Sequence, residues 1–273
     1  MTLEEIQLIT RREIQSVELL IQSTLDKVEN SEAQKWMRYF CSKGGHRLRP
    51  MLTVLAYRVF TESESKIEYE KLIKLATVLE LLHSASLIHD DVIDMEEERR
   101  EQVALQNLVG NKNAILIGNI FYLKAFEIAS TLPNLTYFNE MISTSMAMCF
   151  GEINQSMRLG EGNTLTSDEY VEVVQNKTGQ LISSCCYSGA LLSGATKINC
   201  DLLGELGLIL GTLYQMRDDL KDCDANISKE VNVQKLYLER VCEFKSKISK
   251  LDGTNKFVQM LEAFFTILTK NIK

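Results

Sequence analysis

Apolar residues recur at helical spacing through almost the whole chain. Near the C-terminus Phe257, Met260, Leu261, Phe264, Phe265 and Leu268 follow i, i+3, i+4, i+7, i+8 and i+11, which puts all six on one helix face. The polar side of that helix is not strongly basic, so the face predicts packing on the body of the protein rather than on a membrane surface. The same period predicts helices over about 3–28, 33–41, 48–60, 69–94, 112–130, 137–159, 167–194, 200–222 and 231–251. Turn-forming runs at 43–45, 132–134, 160–163, 193–197 and 252–255 separate them. Thr166-Ser167-Asp168-Glu169 has the acid-rich composition of a helix start. No linker of disordered composition and no repeat of fixed period divides the chain. The expectation is one all-α, single-domain helical bundle, residues 1–273, of about nine to eleven helices.

Composition narrows the picture. The 273 residues, 45% hydrophobic, can bury a substantial core, and only two prolines interrupt them, Pro50 and Pro133. A net charge of −7 without a sustained basic stripe argues against nucleic acid as a partner. Seven cysteines lack the paired CxxC spacing of a zinc site and read as reduced thiols. The N-terminus carries acid from Glu4 and has no unbroken apolar run, so no secretory signal is expected. No segment approaches the ~20 apolar residues of a bilayer span, and the expected location is cytoplasmic.

The chemistry concentrates in two places. The helix over 69–94 is apolar nearly all round, yet the stretch from His83 to Arg100 holds three aspartates, three glutamates and two arginines. On a helix Asp90 and Asp94 share a face, with Asp91 about a quarter turn away. Carboxylates so placed repel one another and oppose the negative end of the helix dipole, so something positive should compensate. Asp218, Asp219 and Asp222 repeat the spacing on a second helix, and these two windows hold six of the chain's eleven aspartates. A solvated acidic helix end explains one such cluster better than two.

Clusters of hard oxygen donors suit Mg²⁺, which is held by one or two carboxylates plus substrate phosphates. The loop glycine and spaced ligands of a calcium-binding EF-hand are missing from both. Glu80 and His83 form a Glu-x-x-His, but a di-iron bundle needs a second one, and neither His46 nor His89 has Glu three residues before it.

With Gly44-Gly45-His46-Arg47-Leu48-Arg49-Pro50 and Arg99-Arg100 added, the chain resembles the trans-prenyltransferases, the polyprenyl diphosphate synthases, from about Lys43 to Asp222. The resemblance implies the isoprenoid synthase fold with a central cavity, usually as a homodimer, with a heteromer as the alternative. It also implies a reaction: Mg²⁺-dependent head-to-tail condensation of isopentenyl diphosphate with an allylic diphosphate. By motif position, Asp90, Asp91 and Asp94 resemble the first metal-binding motif and Asp218, Asp219 and Asp222 the second. Asp90, Asp94 and Asp218 would be the metal ligands, for about three Mg²⁺ ions once diphosphate is bound. Arg99 looks like the allylic-diphosphate contact, and His46, Arg49, His83 and Arg100 fall where the family binds isopentenyl diphosphate. Gln215 precedes the second motif as the family's glutamine does, Lys177-Thr178 resembles a pair on the far wall of the cavity, and Phe150-Gly151-Glu152 with Gln155 resembles a segment that lines it. Arginine forks would grip phosphate oxygens, and Gly44-Gly45 would let the backbone approach the anion.

Ala85 and Ser86, five and four residues before Asp90, are small. In the family bulky aromatics there close the pocket, so the resemblance implies a medium or long product, about C30 or more, with Phe121, Tyr122 or Phe126 as an alternative floor. The chain departs from the family pattern at His46, where lysine is usual, at Asn119 and at Glu101-Gln102-Val103. After Asp222 a cap segment is missing, and Lys229 is the nearby basic residue. These departures keep open a subunit that needs a partner chain, and a class I terpene cyclase shares the metal-triggered ionisation.

Overall fold

The computed structural model describes residues 1–61, 64–160, 164–222 and 231–269. In chain order the elements are α1 (Leu3–Ile9), α2 (Arg11–Asp26), α3 (Ser31–Ser42), α4 (Leu48–Arg58), α5 (Lys66–Ile93), β1 (Glu98–Arg99), β2 (Gln102–Val103), α6 (Leu105–Val109), α7 (Asn111–Ala129), α8 (Leu135–Gly160) and α9 (Ser167–Val174). A π turn (Gln175–Gly179) then leads into α10 (Gln180–Leu192), followed by α11 (Lys197–Asp222), α12 (Val233–Ile248) and α13 (Lys256–Thr269). Among the described residues the fold is all-α apart from one small antiparallel hairpin, which pairs Glu98 with Val103 and Arg99 with Gln102.

Contacts divide the chain into two compact units. One, here the α5 unit, comprises Thr10–Met51 and Glu64–Phe138; the other, the α11 unit, comprises Met1–Ile9, Leu52–Ser63 and Asn139–Lys273.

In the α5 unit a capping box starts α5: the Ser65 hydroxyl accepts from Glu68 N–H, and the Glu68 carboxylate accepts from Ser65 N–H. The helix packs on α2 and α7. Leu72, Leu75, Ala76, Val78, Leu79, Leu82 and Ala85 have no exposed surface, so apolar burial on all sides holds it. By length and composition α5 could cross a bilayer, which corrects the expectation that no segment approaches that length. Its apolar window is 72% buried within the protein, the condition of a core helix.

In the α11 unit, α10 runs along α11, and α12 and α13 pack on the same helix. Met260, Leu261, Phe264 and Phe265 are buried as the periodicity predicts, and Phe265 stacks on Phe244 of α12 with ring centroids 4.0 Å apart. Phe257 is half-buried.

Three differences from the sequence reading stand out. The run over 3–28 is two helices, broken at the buried Thr10. The run over 167–194 contains the π turn. The hairpin and α6 were not expected, because strands of two residues carry no period to detect.

Candidate active site

The α5 unit supplies the compensating charge by folding the hairpin back onto the last turn of α5. Asp91 is fully buried, and its Oδ1 accepts from Arg99 Nε at 2.7 Å and from Arg99 Nη2. Asp90 is half-buried and Asp94, the C-cap, is exposed. One aspartate of the first cluster is thus committed inward, to an arginine. Gln106 of α6 donates to the carbonyls of Asp91 at 2.9 Å and Glu96 at 2.6 Å, adding to the bond that Glu96 N–H already gives the Asp91 carbonyl at 3.0 Å. The hairpin turns on Arg100 (φ 54°) and Glu101 (φ 59°), two side-chain-bearing residues where such turns favour Asn-Gly.

Around this hairpin lies a concentration of positive charge. Arg100 rests against Gly45, where a Cβ would come within 3.0 Å of Nη2, and Nη1 donates to the Lys43 carbonyl at 3.4 Å. Gly44 makes the same room for Arg47, whose Nη2 would lie 2.8 Å from an added Cβ. The two glycines therefore accommodate guanidinium groups, where the sequence suggested only close approach to an anion. His46 is exposed and Arg49 half-buried. Burial, and then the fields of Arg49, Arg100, Arg47 and Arg99, push the His83 pKa well below its ordinary 6.5, so its imidazole is neutral. Glu80, read above as half of a Glu-x-x-His, accepts instead from Arg47 Nη1 at 2.5 Å.

The α11 unit holds the second cluster in a directed hydrogen-bond chain. Thr178 Oγ1 donates to Gln215 Oε1 at 3.0 Å, Gln215 Nε2 donates to Asp219 Oδ1 at 2.9 Å, and Tyr170 Oη donates to Asp219 Oδ2 at 2.6 Å. Asp218 is paired with Arg217 at 2.8 Å and lies 3.7 Å from Lys221 Nζ. Lys177, in the π turn, pairs with Glu152 at 2.6 Å and donates to Gln155 at 3.3 Å. Gly151 permits this approach, because a Cβ there would meet the Lys177 backbone nitrogen at 2.8 Å. A π turn displaces side chains from the α-helical register and is common at functional sites. The side chain of Asp222 and the stretch after it, with Lys229, lie outside the described residues.

The sequence pattern of the family described as polyprenyl synthetase matches residues 30–235, spanning both clusters. The chain belongs to that family. It is 30% identical to an octaprenyl diphosphate synthase of Haemophilus influenzae over 226 residues, which cover 83% of this chain and 67% of the relative. It is 31% identical to the octaprenyl diphosphate synthase of Escherichia coli over 231 residues, 83% of this chain and 68% of that one. In structure it resembles a decaprenyl diphosphate synthase from Rhodobacter capsulatus with a TM-score of 0.88 at 20% identity, each chain covered in full. This polyprenyl synthetase is therefore a prenyltransferase with the all-α isoprenoid synthase fold.

Among the described residues, no three His, Cys, Asp or Glu side chains converge into a ready-made metal nest. Mg²⁺ does not require one, since phosphate oxygens of a substrate complete its shell. Asp90 and Asp94, the carboxylates of the first cluster not buried with Asp91, are the hard donors such an ion takes. The donor chemistry fits.

Sequence reasoning missed Arg47, Glu18, Glu80 and Tyr170. Arg47 lies inside the motif from which His46 and Arg49 were assigned, but nothing in that motif signals its burial. Tyr170 follows the recognised helix start by one residue, and an apolar-face tyrosine resembles any core aromatic.

Proposed function

We propose that this prenyltransferase condenses isopentenyl diphosphate with an allylic diphosphate, head to tail, to a medium or long polyprenyl diphosphate of about C30 or more. The observation that carries the proposal is the cluster of Arg49, Arg99 and Arg100 around a neutral His83, about two helical turns before Asp90 and three before Asp94. Fixed guanidinium charge with half-exposed forks suits a diphosphate, whereas a hydrocarbon alone would need none of it. The octaprenyl names of the relatives support the longer product.

Asp90, Asp94 and Asp218 would hold Mg²⁺, about three ions with diphosphate bound, and the metal supplies the charge withdrawal that lets an allylic C–O bond ionise. The remaining work belongs to the chain. Arg99 would bind the allylic diphosphate, while His46, Arg49, His83 and Arg100 would bind isopentenyl diphosphate. Thr178 and Gln215 present oxygen dipoles whose orientation is fixed by Asp219, and Lys177 adds a positive charge beside them. No covalent nucleophile is needed; positioning and electrostatics carry the rate.

Ile142, Met146, Phe150, Ile153 and Met157 form an exposed apolar stripe along α8. A second copy of the chain would cover it, giving a homodimer, and light scattering of Met146→Glu/Ile153→Glu should then report monomers.

The test is incubation of the purified full chain with labelled isopentenyl diphosphate, Mg²⁺ and each allylic primer in turn, followed by chromatography. A ladder ending at one long prenyl diphosphate supports the proposal. A folded chain that makes no product with any primer overturns it in favour of a subunit that needs a different partner, the reading favoured by the missing cap segment after Asp222.

A further inference from the structure

Arg47 stands between two proposed substrate contacts, His46 and Arg49, yet it cannot itself reach a substrate. It is 6% exposed, and its Nε and Nη2 donate to Glu18 of α2 while Nη1 donates to Glu80 of α5. Burial works against its charge, but Glu80 and Glu18 outweigh that and hold the guanidinium protonated throughout the working pH range.

Three further features tie this side chain to the segment carrying it. Arg47 adopts φ 52°, a left-handed conformation that a side-chain-bearing residue keeps only when its surroundings enforce it. Its carbonyl accepts from Met51 N–H at 3.1 Å, so it is the first acceptor of the α4 ladder. Gly44 lies against its guanidinium so closely that a Cβ would meet Nη2 at 2.8 Å. The segment 44–47 thus wraps around its own arginine, and α4 starts from that anchor with Arg49 in its first turn.

We propose that Arg47 is a positioning residue: the Glu18–Arg47–Glu80 strut sets the direction of His46 and Arg49, and through them the affinity for isopentenyl diphosphate. The proposal rests on the substrate assignment made above. A planar fork reaches carboxylates on two different helices at once; an ammonium group is a single point and cannot hold both in the same plane.

The test compares Arg47→Lys, Glu80→Gln and Glu18→Gln with Arg49→Ala in the full chain. Calorimetry measures isopentenyl diphosphate binding, kinetics measure KM for each substrate separately, and thermal unfolding monitors the fold. Arg47→Lys and Glu80→Gln are expected to weaken isopentenyl diphosphate at least about tenfold, with KM for the allylic diphosphate moved less than about twofold. Glu18→Gln keeps the buried Arg47–Glu80 pair, and Glu18 is 38% exposed, so this variant keeps the fold if the others do not. It is expected to weaken isopentenyl diphosphate about threefold. Equal loss for both substrates, or unchanged isopentenyl diphosphate binding in folded variants, overturns the strut. Unchanged binding in Arg49→Ala overturns instead the substrate assignment on which the strut depends.

Discussion

The hydroxyl of Tyr170 donates to Asp219 Oδ2 at 2.6 Å, while Gln215 takes the other oxygen of the same carboxylate. Both oxygens being claimed by neutral donors, Asp219 works as the hub that orients Gln215 and, through it, Thr178. Removing only the hydroxyl takes away one part-buried hydrogen bond to a charged group, at a cost of about 1–3 kcal/mol. Tyr170→Phe is therefore expected to lower the unfolding midpoint and to reduce turnover about tenfold as Gln215 loosens. Urea titration with steady-state kinetics checks this, and full turnover in the variant would remove Tyr170 from the site.

The first aspartate cluster should divide by role. Asp91→Ala leaves the Arg99 guanidinium without its buried partner and is expected to cost about 3–5 kcal/mol of stability. Asp90→Ala and Asp94→Ala should cost less than about 1 kcal/mol, yet lower turnover by about two orders of magnitude or more, as should Asp218→Ala. Chemical denaturation beside the product assay separates the two classes. Near-normal turnover in Asp90→Ala and Asp218→Ala would discard the metal assignment.

His83 gives a pH dependence with a definite sign. Its folded pKa lies well below the ordinary 6.5, so on acidification the unfolded chain takes up a proton that the native chain refuses. Its contribution is complete above pH 6.5 and declines below it, by up to about 1.36 kcal/mol per pH unit, until the folded pKa is reached. His83→Gln should lose this component. The check is the change in unfolding free energy between about pH 7.5 and 5.5 in both proteins, and equal slopes would contradict the neutral assignment.

At the hairpin, Glu101 holds φ 59° where glycine is free of steric cost. Glu101→Gly is expected to stabilise the protein by about 1 kcal/mol while leaving Arg100 in place. A lower melting temperature in calorimetry would show that the glutamate makes a compensating contribution.

Ala85 has no exposed surface, so a larger side chain there must displace something. If the growing chain passes this point, Ala85→Phe shortens the product at a stability cost of about 1–3 kcal/mol. Chromatography of the product decides, and an unchanged length would move the ruler to another residue such as Phe126.

Residues whose signal is local were legible in the sequence: the heptad-like face of α13, the all-round burial of α5, the start of α9 at Thr166. The two aspartate clusters also stood out there, because their spacing is improbable. What escaped depends on partners distant along the chain. Arg47 finds Glu18 and Glu80, 29 and 33 residues away, and Tyr170 finds Asp219, 49 away. Nothing in the neighbourhood of either residue announces such a partner. The hairpin escaped for the opposite reason, being too short for any period.

The π turn at Gln175–Gly179 gives α9 and α10 independent phase. An α-helix advances about 100° per residue, so deleting one residue from this turn would rotate everything N-terminal to it by that angle relative to α10. Tyr170 would swing away from Asp219 although neither residue had been touched and α11 had not moved. The local residue count is thus as much a determinant of this site as the identity of any side chain in it.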